Sequence, residues 1–294
     1  MIELKGLSRE GKVASLTEAI HALAGKADEA AASRELADWL KAMARFHNYS
    51  WSNALLINCQ RPDATFVAGF RQWEDKFNRR VVKGAKGIAI LVPFMRRGQQ
   101  VEEEEEETTR PRRRVFFGVG YVFDVSDTEG DPLPDLKYRP EGLEDRGLGL
   151  DLLAFASFEH ITVTHRQIPG RAHGWSLPGL ICIDPTYPPA SQACTLAHEL
   201  AHEYLHQRHG EKLSRSSREV EAEAAAAMVA YSYGIECPSE NYIANWTESK
   251  DSGDRVLDRL DRIRAAAVWI LDGIEASRAT ATEMAGALGT FGTY

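Results

Sequence analysis

Residues 195–206 read TLAHELAHEYLH, and the spacing of polar groups in this run decides how the C-terminal half folds. His198 and His202 stand four residues apart, about one helical turn, so a helix presents both imidazoles on one face, close enough to hold one ion. Glu199 sits beside them. Its carboxylate can take a proton from a metal-bound water, whose pKa zinc lowers to about 7, and pass it to a leaving amine. Leu196, Leu200 and Ala201 are apolar, and neither proline nor glycine interrupts the run, so the motif belongs in a partly buried helix. The pattern HExxH predicts zinc-dependent hydrolysis of a polypeptide, with one Zn2+ ion and Glu199 as general base.

Catalytic zinc takes three protein ligands and a water, so a third ligand must come from elsewhere in the chain. His206 lies about 12 Å along the helix axis from His198 at 1.5 Å per residue, too far to share its ion. An elongated motif with a third histidine six residues after His202 fails because that position is Arg208. The next predicted helix, residues 218–233 (REVEAEAAAAMVAYSY), offers Glu219, Glu221 and Glu223. Its alanines allow close packing on a neighbour, which brings a short carboxylate to the metal. Glu221 shares a face with Ala225, Met228 and Val229, and that apolar pattern favours it, with Glu223 as the rival. Tyr231 and Tyr233 are candidate oxyanion stabilisers that the sequence does not separate from core tyrosines.

Outward from this helix, the 294 residues are 44% hydrophobic, enough for two cores, so two domains are expected. The longest apolar run, residues 87–94, is far short of the roughly 20 residues that cross a bilayer, and the N-terminus lacks the apolar core of a secretory signal. A cytoplasmic protein without membrane association is expected. Four widely spaced cysteines (Cys59, Cys182, Cys194, Cys237) form no CxxC pair and read as reduced thiols.

Apolar spacing predicts helices over residues 13–23, 33–46 and 51–59, the last stopped by Pro62. Strands follow at 66–70, 81–82, 88–94 and 115–123. Six consecutive glutamates (102–107) and an arginine cluster (110–114) read as a solvated loop. Residues 131–146 form a proline-bearing linker between a domain at 1–130 and one at 147–294. In the second domain a helix at 148–158, a strand at 161–164, a hairpin at 174–184 and long helices give an α+β fold with a small sheet. The net charge of −8 disfavours nucleic acid overall. Between Arg61 and Arg97, however, nine basic residues stand against three acidic ones.

The C-terminal half resembles the metallopeptidases of the ImmA/IrrE type, which pair an HExxH helix with a glutamate on the next helix. Their segment E-x-E-A-N-x-F-A is matched by Glu219, Glu221, Ala222 and Ala226, with Glu223 and Ala225 as departures. The resemblance implies Glu221 as third ligand. The N-terminal half is similar to the DNA-binding domain of ArdC-type antirestriction proteins, through YSWSNALLI (49–57), RPDATFVAGFRQW (61–73), VVKGAKGIAILVP (81–93) and VFDVSDTEG (122–130). That resemblance implies binding of single-stranded DNA. Tyr49, Trp51, Phe66, Phe70 and Trp73, interleaved with Asn53, Arg61, Arg71, Lys83 and Lys86, supply the mixture that stacks bases and tracks phosphates. The alternative to an enzyme is an antirestriction factor that binds DNA and carries an idle or structural zinc.

Overall fold

The computed structural model describes residues 4, 6–30, 34–94, 116–133, 144–170, 172–208, 213–235 and 253–289. The glutamate run, the arginine cluster, Cys237 and most of the expected linker lie outside the described residues. The chain divides into two compact units, Met1–Leu23 with Leu55–Leu133, and Ala24–Ala54 with Pro134–Tyr294. Helices α1 (Arg9–Ala30) and α3 (Trp51–Gln60) each run from one unit into the other, and α2 (Arg34–Arg45) belongs wholly to the second. The sequence reading places residues 24–54 with the N-terminal module. They cluster instead with the second unit, because α2 buries Trp39, Leu40 and Met43 and packs against the helix that follows the HExxH segment.

In the first unit, β1 (Val67–Gly69), β4 (Phe116–Asp124) and β3 (Ile88–Phe94) form an antiparallel sheet in the order β1-β4-β3. The short helix α4 (Phe70–Asp75) follows β1, and β2 (Arg79–Val81) pairs with β5 (Thr128–Gly130). Two polar side chains hold the corners. The buried Asp124 carboxylate accepts the backbone N–H groups of Thr65 (2.7 Å), Phe66 (3.1 Å) and Ser126 (3.0 Å). Gln60 bridges to Ala89, donating to its carbonyl at 2.8 Å and accepting its N–H at 3.0 Å, which satisfies backbone groups at the start of β3.

The second unit places a three-stranded sheet beside helices. Its order is β6 (Thr162–His165), β8 (Leu180–Ile183), β7 (Gly174–Leu177), with β6 parallel and β7 antiparallel to β8. The crossover from β6 to the parallel β8 returns through β7, which ends at the edge. Helices α5 (Leu148–Phe158), α6 (Pro189–His202), α7 (Arg215–Ser232) and α8 (Gly253–Gly289) complete the unit. α7 is surrounded by α6, α8 and α2, so Ala222 and every residue from Ala224 to Ala230 is buried. A helix enclosed on all sides is apolar all round, and alanine lets three neighbours approach it closely. Of the cysteines, Cys182 is a buried thiol, while Cys194 is disulfide-bonded, which corrects its reading as a reduced thiol.

Candidate metal centre

The HExxH segment occupies the last turns of α6, whose first turn begins at Pro189, where a missing N–H costs no helical bond. Past His202 the backbone widens into a π-helical turn, Glu203–Arg208. Such bulges re-aim side chains at functional sites. Here His206 turns behind the motif: its ring lies 5.1 Å from that of His202 and its Nε2 donates to the Arg218 carbonyl at 3.1 Å. Burial, with His202 nearby, pushes the His206 imidazole down to about 4.

On α6 the Nε2 atoms of His198 and His202 stand 3.0 Å apart. From α7, Glu219 brings one carboxylate oxygen to 3.4 Å from each of them. The edges of this triangle, 3.0, 3.4 and 3.4 Å, fit a small ion well. Ligands about 2.0–2.1 Å from a tetrahedral centre lie about 3.3–3.4 Å from one another. Among the described residues these three are the group able to hold a metal. Two imidazole nitrogens and a carboxylate oxygen define a divalent-metal site.

A second carboxylate supports the first imidazole. Glu223, one turn beyond Glu219, places Oε2 at 3.0 Å from His198 Nδ1, which fixes the tautomer that leaves Nε2 for a metal. Burial pushes the His198 imidazole down, but Glu219 and Glu223 outweigh it and lift the group to about 9. Glu219 is held well below the ordinary carboxylate range by hydrogen bonds to His198 and His202.

Glu221, expected as the third ligand, lies on another face of α7. Its fully buried carboxylate meets the Arg262 guanidinium of α8 at 3.2 and 3.3 Å. The physical reason is angular: two residues turn a helix by about 200°, so Glu219 and Glu221 cannot face the same neighbour. Because α7 is buried on every face from Ala224 to Ala230, its apolar pattern does not distinguish the face toward α6. The signal that does is the four-residue spacing of Glu219 and Glu223, which matches that of His198 and His202.

Glu199 is buried, and the Ser176 hydroxyl of β7 donates to its Oε2 at 2.6 Å. With His198, Glu219 and Glu223 it lines a cavity of about 340 Å³, bounded on the strand side by His173 and Gly174. His173 is stacked on Tyr187 with ring centroids 3.7 Å apart. Tyr233 donates its hydroxyl to Asp151 at 2.8 Å and Tyr231 lies beneath the Lys41 ammonium, so both have structural partners.

The residues expected to touch DNA divide sharply. Trp51, Asn53 and Trp73 are buried. Trp73 Nε1 donates to the Phe123 carbonyl at 3.0 Å, and its ring packs edge-on against Phe66, so it anchors a core and offers no face to a base. Tyr49 is half-buried, and burial raises its hydroxyl above the usual range. Arg61 is committed to Asp127 and to the Ser126 hydroxyl. Arg71, Lys83 and Lys86 are exposed. Phe70 (58% exposed), Phe117 (53%) and Tyr121 (45%) supply accessible rings, and the Phe123 ring lies 6.0 Å from that of Phe70. The alternation of β4, which puts Phe117, Val119, Tyr121 and Phe123 on one face, is the sequence signal for Tyr121.

Residues 12–123 match the family model for the N-terminal domain of anti-restriction factor ArdC, and residues 152–242 match that of the IrrE N-terminal-like domain of the M78 peptidases. No curated protein matches the chain by sequence. Among solved structures the fold is similar to the Mn(II)-bound crystal structure of the antirestriction ArdC protein from the R388 plasmid. The TM-score is 0.51 at 18% identity, over 88% of this chain and 96% of that one. The metal-free structure of the same protein aligns at a TM-score of 0.48 and 20% identity, over 78% and 86%. Fold and site therefore define the class: a two-domain α+β protein joining an ArdC N-terminal domain to an IrrE-like domain that carries a divalent-metal site. The chain is thus similar, domain by domain and in overall fold, to the ArdC type of protein.

Proposed function

We propose that this chain is a zinc metallopeptidase acting on a polypeptide, joined to a module that binds single-stranded DNA. The observation that carries the peptidase reading is the triangle of His198, His202 and Glu219 beside a cavity into which Glu199 also faces. Three protein ligands leave a position for water, whereas structural zinc is closed by four. Glu219 is the third ligand in this reading, with Glu223 orienting His198. Two imidazoles and one carboxylate suit tetrahedral zinc better than manganese, which prefers six oxygen ligands. The R388 plasmid protein was crystallised with Mn(II), so the metal of this chain is to be established by elemental analysis.

Bound zinc would supply a Lewis acid and a water acidified to a pKa of about 7. Glu199 accepts the water proton on its carboxylate and returns it to the amine nitrogen as the peptide C–N bond breaks. β7 lies at the edge of its sheet, and an extended substrate adding to that edge would run along the cavity rim at His173 and Gly174. Burial of Glu199 limits competing water near the proton it carries.

For DNA, the supporting surface is the ridge of Phe70, Phe123 and Tyr121 with Arg71, Lys83 and Lys86 nearby in sequence and exposed. Gly87 leaves the ridge clear, since a Cβ there would meet Tyr121 Cβ at 3.0 Å and Phe123 at 3.2 Å. Exposed rings accept stacked bases of any sequence, and the lysines and arginine meet phosphates.

Glu199→Gln tests the enzyme. Metal content should stay at the wild-type level while hydrolysis falls by at least about 10²-fold. Proteomic comparison of cells carrying the two forms should then reveal accumulated substrate. Retention of full biological activity by Glu199→Gln would favour the antirestriction factor with an idle metal. In a gel-shift titration, single-stranded oligonucleotides should bind more tightly than duplex ones. No single-strand binding at moderate salt would sink the DNA reading.

A further inference from the structure

Ser176 is the one hydroxyl of β7, and its contact with Glu199 depends on how that strand lies. Strand alternation turns Gly174 and Ser176 toward α6 and leaves Trp175 (40% exposed) and Leu177 (56%) outside. β7 packs directly on α6. Gly174 permits the approach: a Cβ there would come within 2.6 Å of Thr195 Cγ2 and 3.0 Å of the Cys182 carbonyl. Two residues on, Ser176 reaches Glu199 across a 2.6 Å hydrogen bond, held in register by its pairing with Ile181.

We propose that Ser176 is a positioning residue for Glu199: its hydroxyl occupies Oε2 and so fixes the carboxylate in the rotamer that leaves Oε1 for the proton it must accept. This rests on the hydrolytic reading of the site. A glutamate side chain has three rotatable bonds, and a carboxylate free to rotate spends little time aligned for proton transfer. A short hydrogen bond to the charged form, itself anchored in a sheet, removes that freedom. The donor is the serine O–H, and no proton moves along this bond during the reaction. Because β7 is also an edge strand, the residue that sets Glu199 is carried by the element on which an extended substrate would add.

The test uses the full-length, zinc-loaded protein and acetohydroxamate, a small chelator whose hydroxyl and N–H need an aligned carboxylate acceptor. Its dissociation constant is measured for wild type, Ser176→Ala, Ser176→Thr, Glu199→Gln and the Ser176→Ala/Glu199→Gln double variant. Metal affinity and melting temperature are recorded for each. Ser176→Ala should bind acetohydroxamate roughly tenfold more weakly, with metal affinity unchanged. Ser176→Thr, which keeps the donor, should stay within about twofold of wild type, and Ser176→Ala should add nothing in the Glu199→Gln background. Wild-type affinity in Ser176→Ala while Glu199→Gln is impaired overturns the proposal alone. Failure of zinc-loaded wild type to bind acetohydroxamate overturns both the proposal and the hydrolytic reading.

Discussion

Three glutamates on α7 fall within five consecutive residues, yet each makes a different contact. Glu219 meets both imidazoles, Glu223 meets the far side of one, and Glu221 meets Arg262. Their substitutions should separate accordingly in metal titrations. Glu223→Gln weakens metal binding by about 10–100-fold, as loss of a hydrogen-bonded partner of a ligating histidine does, and Glu219→Ala weakens it further. Glu221→Gln leaves metal affinity intact but disrupts a buried ion pair, lowering stability in urea by about 3 kcal/mol. A metal defect confined to Glu221→Gln would reverse the assignment. Asp124 supports a pH prediction. Burial raises its carboxyl, but hydrogen bonds from Ser126, Thr65 and Phe66 outweigh that and leave it below the ordinary value. A depressed carboxyl stabilises the fold above its unfolded pKa and loses that contribution as pH falls through its folded value. Asp124→Asn should therefore be less stable at neutral pH and show a shallower loss of stability in acid, read from urea midpoints between pH 3 and 7.

At the scale of elements, much was legible from spacing alone. The helix around His198 and His202, the helix at Leu148–Phe158 and the hairpin preceding α6 follow from periodicity and turn residues. The π-helical turn after His202 was not legible, because the sequence continues a helical pattern through Glu203–Arg208, where His206 packs beside His202 and Glu203 accepts the Gly179 N–H. Nor did composition distinguish Trp73, which is core, from Tyr121, which is surface: both are aromatic residues within reach of basic ones. A helix-level prediction follows from α8. A Cβ at Gly273 would fall 2.0 Å from the Phe155 ring, itself packed edge-on against Trp269. Gly273→Ala should destabilise the protein by about 1–3 kcal/mol through overpacking, despite the higher helix propensity of alanine. Differential scanning calorimetry would show the lower melting temperature.

For the molecule as a whole, the two units are not the two halves of the sequence. α2 lies before the first sheet in the chain but packs on α7. A fragment beginning at residue 147 therefore lacks a wall of its own core. It should melt below the full chain or bind a hydrophobic dye in the native state, and a fragment that retains residues 24–54 should not. Cooperative unfolding of the 147–294 fragment at the full-length temperature would contradict this.

The sequence alone determined the HExxH helix, the α+β class and the two-part architecture, because helical and strand periodicities and a one-turn ligand spacing are local and survive any packing. Tertiary structure decided which glutamate completes the metal triangle, which aromatic rings stay in solvent, and which hydroxyl meets Glu199. Those choices depend on which face of α7 turns to α6 and how closely β7 lies on it. Such rotations are fixed by contacts between distant segments.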